Sequence, residues 1–393
     1  MQMKLVVCAV LLCICIVLSA GCISSPQNNS SPSSSNSSSP ALSVPTAKTV
    51  STSLVAPWGS VPTRQKSTLS MTAIDVGRGD ALLVTFPNGK HMLVDGGGGY
   101  TARHFVIPYL IEKHITHLDA IVCTHEHWDH IDGLIEVLKD NRIAVENAYD
   151  SGFSIVHNLQ KANSHERASI DAYLAQLKEK RVKHVIVTAG ESIDIGRDSA
   201  PQKNALTYVL SPTAALTANL QKRVKDTKGT SNHAAINEDS LVLRIAYGRT
   251  HFLLAGDTSL PGASYADAAM LRDPVQSTHL SADVLKLGHH GFSKPDDAFY
   301  RVVRPRYVIM TFGPQLRTGL PYCEGLHQGT QNLNYFKDKL WSTCDKGTII
   351  VTSDGTPNGI HVQNEGSNVP KGCCCHCVND HPPRNNTPAD VAT

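Results

Sequence analysis

Residues 124–130 read Thr-His-Glu-His-Trp-Asp-His, and no other stretch limits so tightly what the chain can become. Seven positions hold three imidazoles and two carboxylates, the donor types that zinc and related divalent ions prefer. The apolar run 118–123 before them reads as a buried strand. His125 and His127, two positions apart, therefore point the same way as that strand ends. After the motif, Ile131, Leu134, Ile135 and Leu138 repeat at helical spacing, which puts Asp129 and His130 at a helix start. A strand-to-helix turn thus presents two donor pairs, one for each of two adjacent metal ions.

The surroundings bound the rest. The 393 residues leave room for one large domain with appendages. A formal net charge of +2 is too small for the whole surface to capture nucleic acid strongly, although a local basic patch stays open. Lys4 precedes the apolar run 5–18, which is short for a spanning helix. Small residues then lead to Cys22, a pattern that resembles the lipobox of prokaryotic lipoproteins. Residues 1–22 are accordingly expected to be a lipoprotein-type signal, with lipid on Cys22 as the membrane contact and the rest outside the cytoplasm. A plain secretory signal is the alternative. Residues 23–66, dominated by Ser, Pro, Asn and Thr, read as a disordered tether. Residues 365–393 form a tail containing Cys373, Cys374, Cys375, His376 and Cys377, with no standard ligand spacing. Cys323 and Cys344 could pair in an oxidising compartment, and Cys123 reads as a small buried side chain.

Between these lies the folded part, residues 67–364. Strand-like segments at 69–76, 81–86 and 91–94 precede a helix near 104–113, the 118–123 strand and a 130–139 helix. A longer helix runs from Ser164 to about residue 180. Strands recur near 184–188, 206–210, 240–246 and 250–256. A second round has helices near 265–272 and 296–303, strands near 284–287 and 306–311, and closing strands at 348–352 and 360–362. Two such rounds fit two packed sheets with helices outside. The polar segment 213–236 is expected to be a loop or lid.

Other strand ends carry donors too. Asp75-Val-Gly-Arg-Gly-Asp80 joins two strands, and Asp95 ends a third before a glycine run. Asp257 follows 252–256, and His289 and His290 follow 284–288. Each is weak alone; together with 124–130 they are strong. In this order the motifs resemble those of the metallo-β-lactamase superfamily, and specifically its ComEC-type competence branch, over about residues 69–363. The resemblance implies a four-layer αββα fold, two packed mixed sheets with helices outside. It implies that His125 and His127 bind a first metal and Asp129 and His130 a second, with Asp257 bridging. It also implies that His290 completes the second site and that His289 contacts substrate or donates a proton. Asp95 would steady the histidine loop, and Asp75 and Asp80 would tie down the turn. One departure stands out. Most members add a histidine to the first metal, where this chain has Asn237, with His233 fitting the place less well; that site would be open.

Two divalent ions, zinc first and manganese second, would hold a bridging hydroxide for hydrolysis. The branch resemblance points to a phosphodiester substrate, DNA among the candidates, with Lys286, Lys294 and the basic 221–228 segment placed to meet phosphates. The alternative is the same chemistry on a phosphorylcholine-type ester, a lactone or a β-lactam, with Glu126 and Trp128 at the mouth. A third reading is a surface-anchored binding protein without turnover, against which the second-site donors are all present.

Overall fold

The computed structural model describes residues 67–157, 164–226, 233–258, 265–292, 297–314, 316, 335–367 and 369. The expected signal and tether, the cysteine cluster at 373–377, Cys323 and Lys294 lie outside the described residues. No helix of the described residues is long and apolar enough to cross a membrane.

The first sheet grows from two hairpins. Strands β1 (Leu69–Ala73), β2 (Leu82–Thr85) and β3 (His91–Val94) run antiparallel, and Met71 faces Val84 in register. The Pro-Asn-Gly turn closes the second hairpin, where Gly89 N–H donates to the Phe86 carbonyl at 2.9 Å. Then β4 (His117–Val122), β5 (Ala144–Asp150) and β6 (Lys183–Ile186) join in parallel through crossover helices, Ile131–Lys139 and Ser164–Lys180 among them. The last strands, β14 (Thr348–Ser353) and β15 (Ile360–Glu365), return beside β1, so the order is β15-β14-β1-β2-β3-β4-β5-β6.

The second sheet repeats this division. Its strands are β7 (Ser192–Ile193), β8 (Ala205–Ser211), β9 (Val242–Tyr247), β10 (Thr250–Leu254), β11 (Val284–Lys286), β12 (Tyr307–Met310) and β13 (Leu340–Ser342). They order as β13-β12-β11-β10-β9-β8-β7, parallel from β10 to β13 and antiparallel from β7 to β10.

Alternation along the strands divides the core into three layers. Met71, Val84, Met92 and Val122 of the first sheet cluster with Leu243, Ile245, Phe252 and Ile309 of the second. Their neighbours Leu83, Leu93 and Ile121 face the other way, onto Leu134, Leu138, Tyr173 and Leu177 of the helices. Leu253, Leu285 and Val308 do the same on the far side, against Met270, Phe299 and Val303. These clusters are the interfaces of a four-layer αββα sandwich, as the sequence led one to expect.

Segment 213–236 is not the expected loop. It contains helices Ala214–Asp226 and His233–Glu238. In the first of them the large apolar residues Leu216, Leu220 and Val224 recur every four positions and are all buried. One stripe anchors a helix even where total apolar content is low. The Thr213 hydroxyl accepts the Leu216 N–H at its start.

Candidate metal centre

The donors meet where strands of both sheets end. β3 delivers Asp95, which is fully buried. One of its oxygens accepts the Thr124 N–H at 2.8 Å; the other accepts the Thr124 hydroxyl at 2.7 Å and His130 Nδ1–H at 2.8 Å. A single carboxylate therefore fixes the start and the end of the histidine loop. The helix that follows packs so closely that a Cβ on Gly133 would overlap the Gly96 carbonyl. From β10 comes Asp257, whose N–H donates to Ser240 Oγ. From β11 come His289 and His290, consecutive residues with φ of 47° and 53°, a left-handed conformation that non-glycine residues seldom adopt.

Each of four histidines has its outer nitrogen tied, which turns the inner one toward the centre. His125 Nδ1 lies 3.1 Å from the Thr124 hydroxyl, which is itself committed to Asp95. His130 Nδ1 is on Asp95. His290 Nδ1 donates to Asp80 at 3.2 Å. His127 Nε2 is 3.0 Å from His233 Nδ1. With protons on those outer nitrogens, the inner ones are lone pairs. Yet they face one another: His125 Nε2 is 3.0 Å from His127 Nδ1, and the Nε2 atoms of His130 and His290 are 3.2 Å apart. Opposed lone pairs at such distances call for a cation among them.

Asp257 sits between the two pairs. Its Oδ2 is 3.6 Å from His125 Nε2 and 3.3 Å from both His130 Nε2 and His290 Nε2. Asp129 closes the second cluster, 3.7 Å from His290 Nε2. Ligands at about 2.0–2.2 Å around a tetrahedral ion stand roughly 3.3–3.6 Å apart, so these spacings fit divalent metal. Among the donor groups close enough to hold an ion are His125, His127 and Asp257 on one side and Asp129, His130 and His290 on the other.

The electrostatics agree. Burial pushes His125 well down and His127 to about 3, leaving neutral imidazoles able to coordinate. Burial also disfavours charge on His130, but Asp257 and Asp95 outweigh it and raise that ring well above 6.5. Where the carboxylates crowd, the site demands positive charge. His289 is pushed to about 4 by burial, its Nδ1 enclosed without a hydrogen-bond partner and its ring 5.5 Å from Phe292.

Several expectations need correction. Lys286 is fully buried: Nζ pairs with Asp80, donates to the Gly256 carbonyl at 2.9 Å, and stands 4.0 Å from Asp257 Oδ1. It is not placed to meet a phosphate. Asp80, besides ending the turn, also accepts the Thr311 hydroxyl at 2.5 Å, so it holds His290, Lys286 and the end of β12 together. Glu126 is 2 % exposed, too buried to line an entrance, and raised to about 8 by burial and then by Asp239. The Trp128 ring lies against Gly98. His233 reaches His127 on its outer nitrogen, whereas Asn237 is buried with Oδ1 unpartnered by any hydrogen bond. Thr124, Thr311 and Lys286 were missed as supports; only their places beside strand-end donors could have signalled them.

Residues 74–159 match the family model described as the metallo-beta-lactamase superfamily. Over that stretch the chain is similar to this superfamily, and its four-layer αββα architecture agrees. Over 293 residues the chain is 26% identical to ComE operon protein 3 of Bacillus subtilis (strain 168), covering 70% of this chain and 32% of that protein. The chain thus spans about a third of the length of the curated relative it matches. Similar solved structures include a diphosphatase from the PhnP family, at 15% identity over 70% of this chain and 94% of that one, with a TM-score of 0.36. Another is the metallo-beta-lactamase fold protein YhfI from Bacillus subtilis, at 11%, 70% and 96%, with a TM-score of 0.36. Human tRNase Z, short form, is similar at 14% over 62% and 92%, with a TM-score of 0.31.

Proposed function

We propose that this domain is a metal-dependent phosphodiesterase acting outside the cytoplasm. The observation that carries the reading is the position of Asp257 Oδ2, within 3.3–3.6 Å of imidazole nitrogens from both halves of the cluster. His125, His127 and Asp257 would hold one divalent ion; Asp129, His130, His290 and Asp257 would hold the other, zinc or manganese. Such ions, when bound, activate water and stabilise charge developing at phosphorus.

The chain's own residues do the rest. Asp95 and Asp80 fix the tautomers of His130 and His290, so that both Nε2 lone pairs face inward. Thr124 does this for His125. Asp129 orients donors while staying paired with Arg78 at 3.2 Å. His289, flanking the cluster, contacts the substrate and hydrogen-bonds the leaving oxygen. The branch likeness to the ComE operon protein supports a phosphodiester, DNA among the candidates. The signal-like residues before Cys22 support a lipid-anchored position outside the membrane.

The test is hydrolysis of bis(p-nitrophenyl) phosphate and single-stranded DNA by the purified protein, loaded with zinc or with manganese. We expect turnover of at least one. Silence on both with either metal, alongside cleavage of a lactone or a choline ester, would sink the phosphodiesterase reading.

A further inference from the structure

The Asp75–Asp80 turn carries one side chain that the ligand sets leave unexplained. Arg78 is flanked by Gly77 (φ 71°) and Gly79 (φ 130°), backbone angles that favour glycine. A Cβ on Gly77 would overlap the Pro314 carbonyl, and one on Gly79 the carbonyl of Asp129. Arg78 N–H donates to that Pro314 carbonyl at 2.9 Å, and Asp80 N–H to that of Asp129 at 3.3 Å. The backbone is therefore gripped on both sides of Arg78, by Pro314 on one and by the segment carrying Asp129 on the other. This is a rigid mounting, the kind a functional side chain needs.

The side chain is mounted with equal care. Nε lies 3.2 Å from Asp129 Oδ2, and the guanidinium carbon 4.7 Å from the centre of the Phe292 ring. One edge and one face of the planar group are thus fixed. Among the described residues, no hydrogen bond or ion pair engages either Nη, and the side chain stays 25% exposed. A guanidinium offers five donors in a fork that matches a carboxylate or phosphate. Here Nε is paired by charge, without a hydrogen bond, to a proposed ligand of the second metal. The same Phe292 ring also packs against the His289 imidazole, 5.5 Å away, so the guanidinium and the imidazole share one aromatic support. A residue needed only to neutralise Asp129 would not require a partly exposed, preoriented fork.

We propose that Arg78 binds the substrate: its Nη edge takes a non-bridging phosphate oxygen and selects anionic diesters over neutral esters. This rests on the phosphodiesterase reading for the identity of the substrate, but anion binding can be measured apart from turnover. Charge-assisted hydrogen bonds of this kind are worth roughly 10- to 100-fold in affinity.

The test uses metal-loaded full-length protein as wild type, Arg78→Lys and Arg78→Ala, titrated calorimetrically with diphenyl phosphate, a singly charged diester. Metal content is measured in each. We expect Arg78→Ala to weaken binding about 10- to 100-fold at wild-type metal content, and Arg78→Lys to restore part of it. In kinetics, KM for bis(p-nitrophenyl) phosphate should rise far more than KM for p-nitrophenyl acetate. Equal diphenyl phosphate affinity in wild type and Arg78→Ala overturns the proposal, as does absence of binding to the wild type. Loss of binding in step with loss of metal also overturns it, by making Arg78 a support for Asp129. Arg78-dependent binding without hydrolysis of any phosphodiester leaves the anion site standing and refutes the phosphodiesterase reading instead.

Discussion

The two halves of the metal cluster share Asp257 but are built to different standards. In the second half, each donor is backed by a buried or paired group: His130 by Asp95, His290 by Asp80, Asp129 by Arg78. In the first half, His125 leans on Thr124, while His127 leans on His233, whose side chain is 58% exposed. No third imidazole joins the inner side of the first half among the described residues, and Asn237 keeps an unpartnered oxygen nearby in sequence. The difference suggests division of labour. On the ligand sets proposed above, the rigid, fully backed half would hold its ion, and the looser half would exchange its ion or admit substrate oxygen.

The comparison can be broken or sharpened by four changes, the most damaging first. Asp257→Ala should abolish phosphodiester turnover, by roughly 10³-fold or more, because it belongs to both halves. Metal analysis should then find both ions lost; retention of two would show that the halves do not meet there. Asp80→Ala attacks the second half alone. It leaves the buried Lys286 charge with only Asp257 Oδ1, at 4.0 Å, and should cost about 3–5 kcal/mol in chemical denaturation. A wild-type midpoint would mean that this half's backing is dispensable.

Asp239→Asn probes the acids beneath the first half. Burial raises Asp239 to about 7, despite hydrogen bonds from Thr217 and Ser154. The folded state thus keeps a proton that the unfolded chain releases near 3.8. That contribution to stability is complete below about pH 4 and is lost as pH rises through 7, up to about 4 kcal/mol in all. The asparagine variant should lose less stability than wild type between pH 5 and 8 in thermal melts; parallel curves would contradict the assignment. His233→Ala should do least. We expect about tenfold weaker binding of one metal in chelator competition, with the fold and the other metal unaffected. Equal loss of both ions would erase the distinction between the halves.

How much of this could be read from the chain follows from where the chemistry sits. Donors at the ends of apolar strands announce themselves, so the convergence of His125, His127, Asp129, His130, Asp257 and His290 was legible, together with the layers that carry them. What resisted reading depends on partners distant in sequence. Lys286 looks like a surface lysine until Asp80 is brought to it from the other sheet. Glu126 sits between two inward histidines, so its burial follows from alternation; yet its charge suggested an exposed rim. His233 and the 214–226 helix were hidden in a polar segment whose apolar stripe is only three residues long. β5, β7 and β13 were not read because β5 mixes Glu and Asn with its apolar residues and the others are very short.

His130 and His290 stand 160 positions apart in the chain, one from each sheet, with their nitrogens 3.2 Å from each other. Any ion gripped by both is therefore a cross-link as well as a reagent. Closing a loop of that length removes about 5 kcal/mol of freedom from the unfolded chain in the usual entropic treatment. For this protein a chelator would act as a reductant acts on a disulfide, and metal supply would set not only the rate of chemistry but the lifetime of the folded molecule.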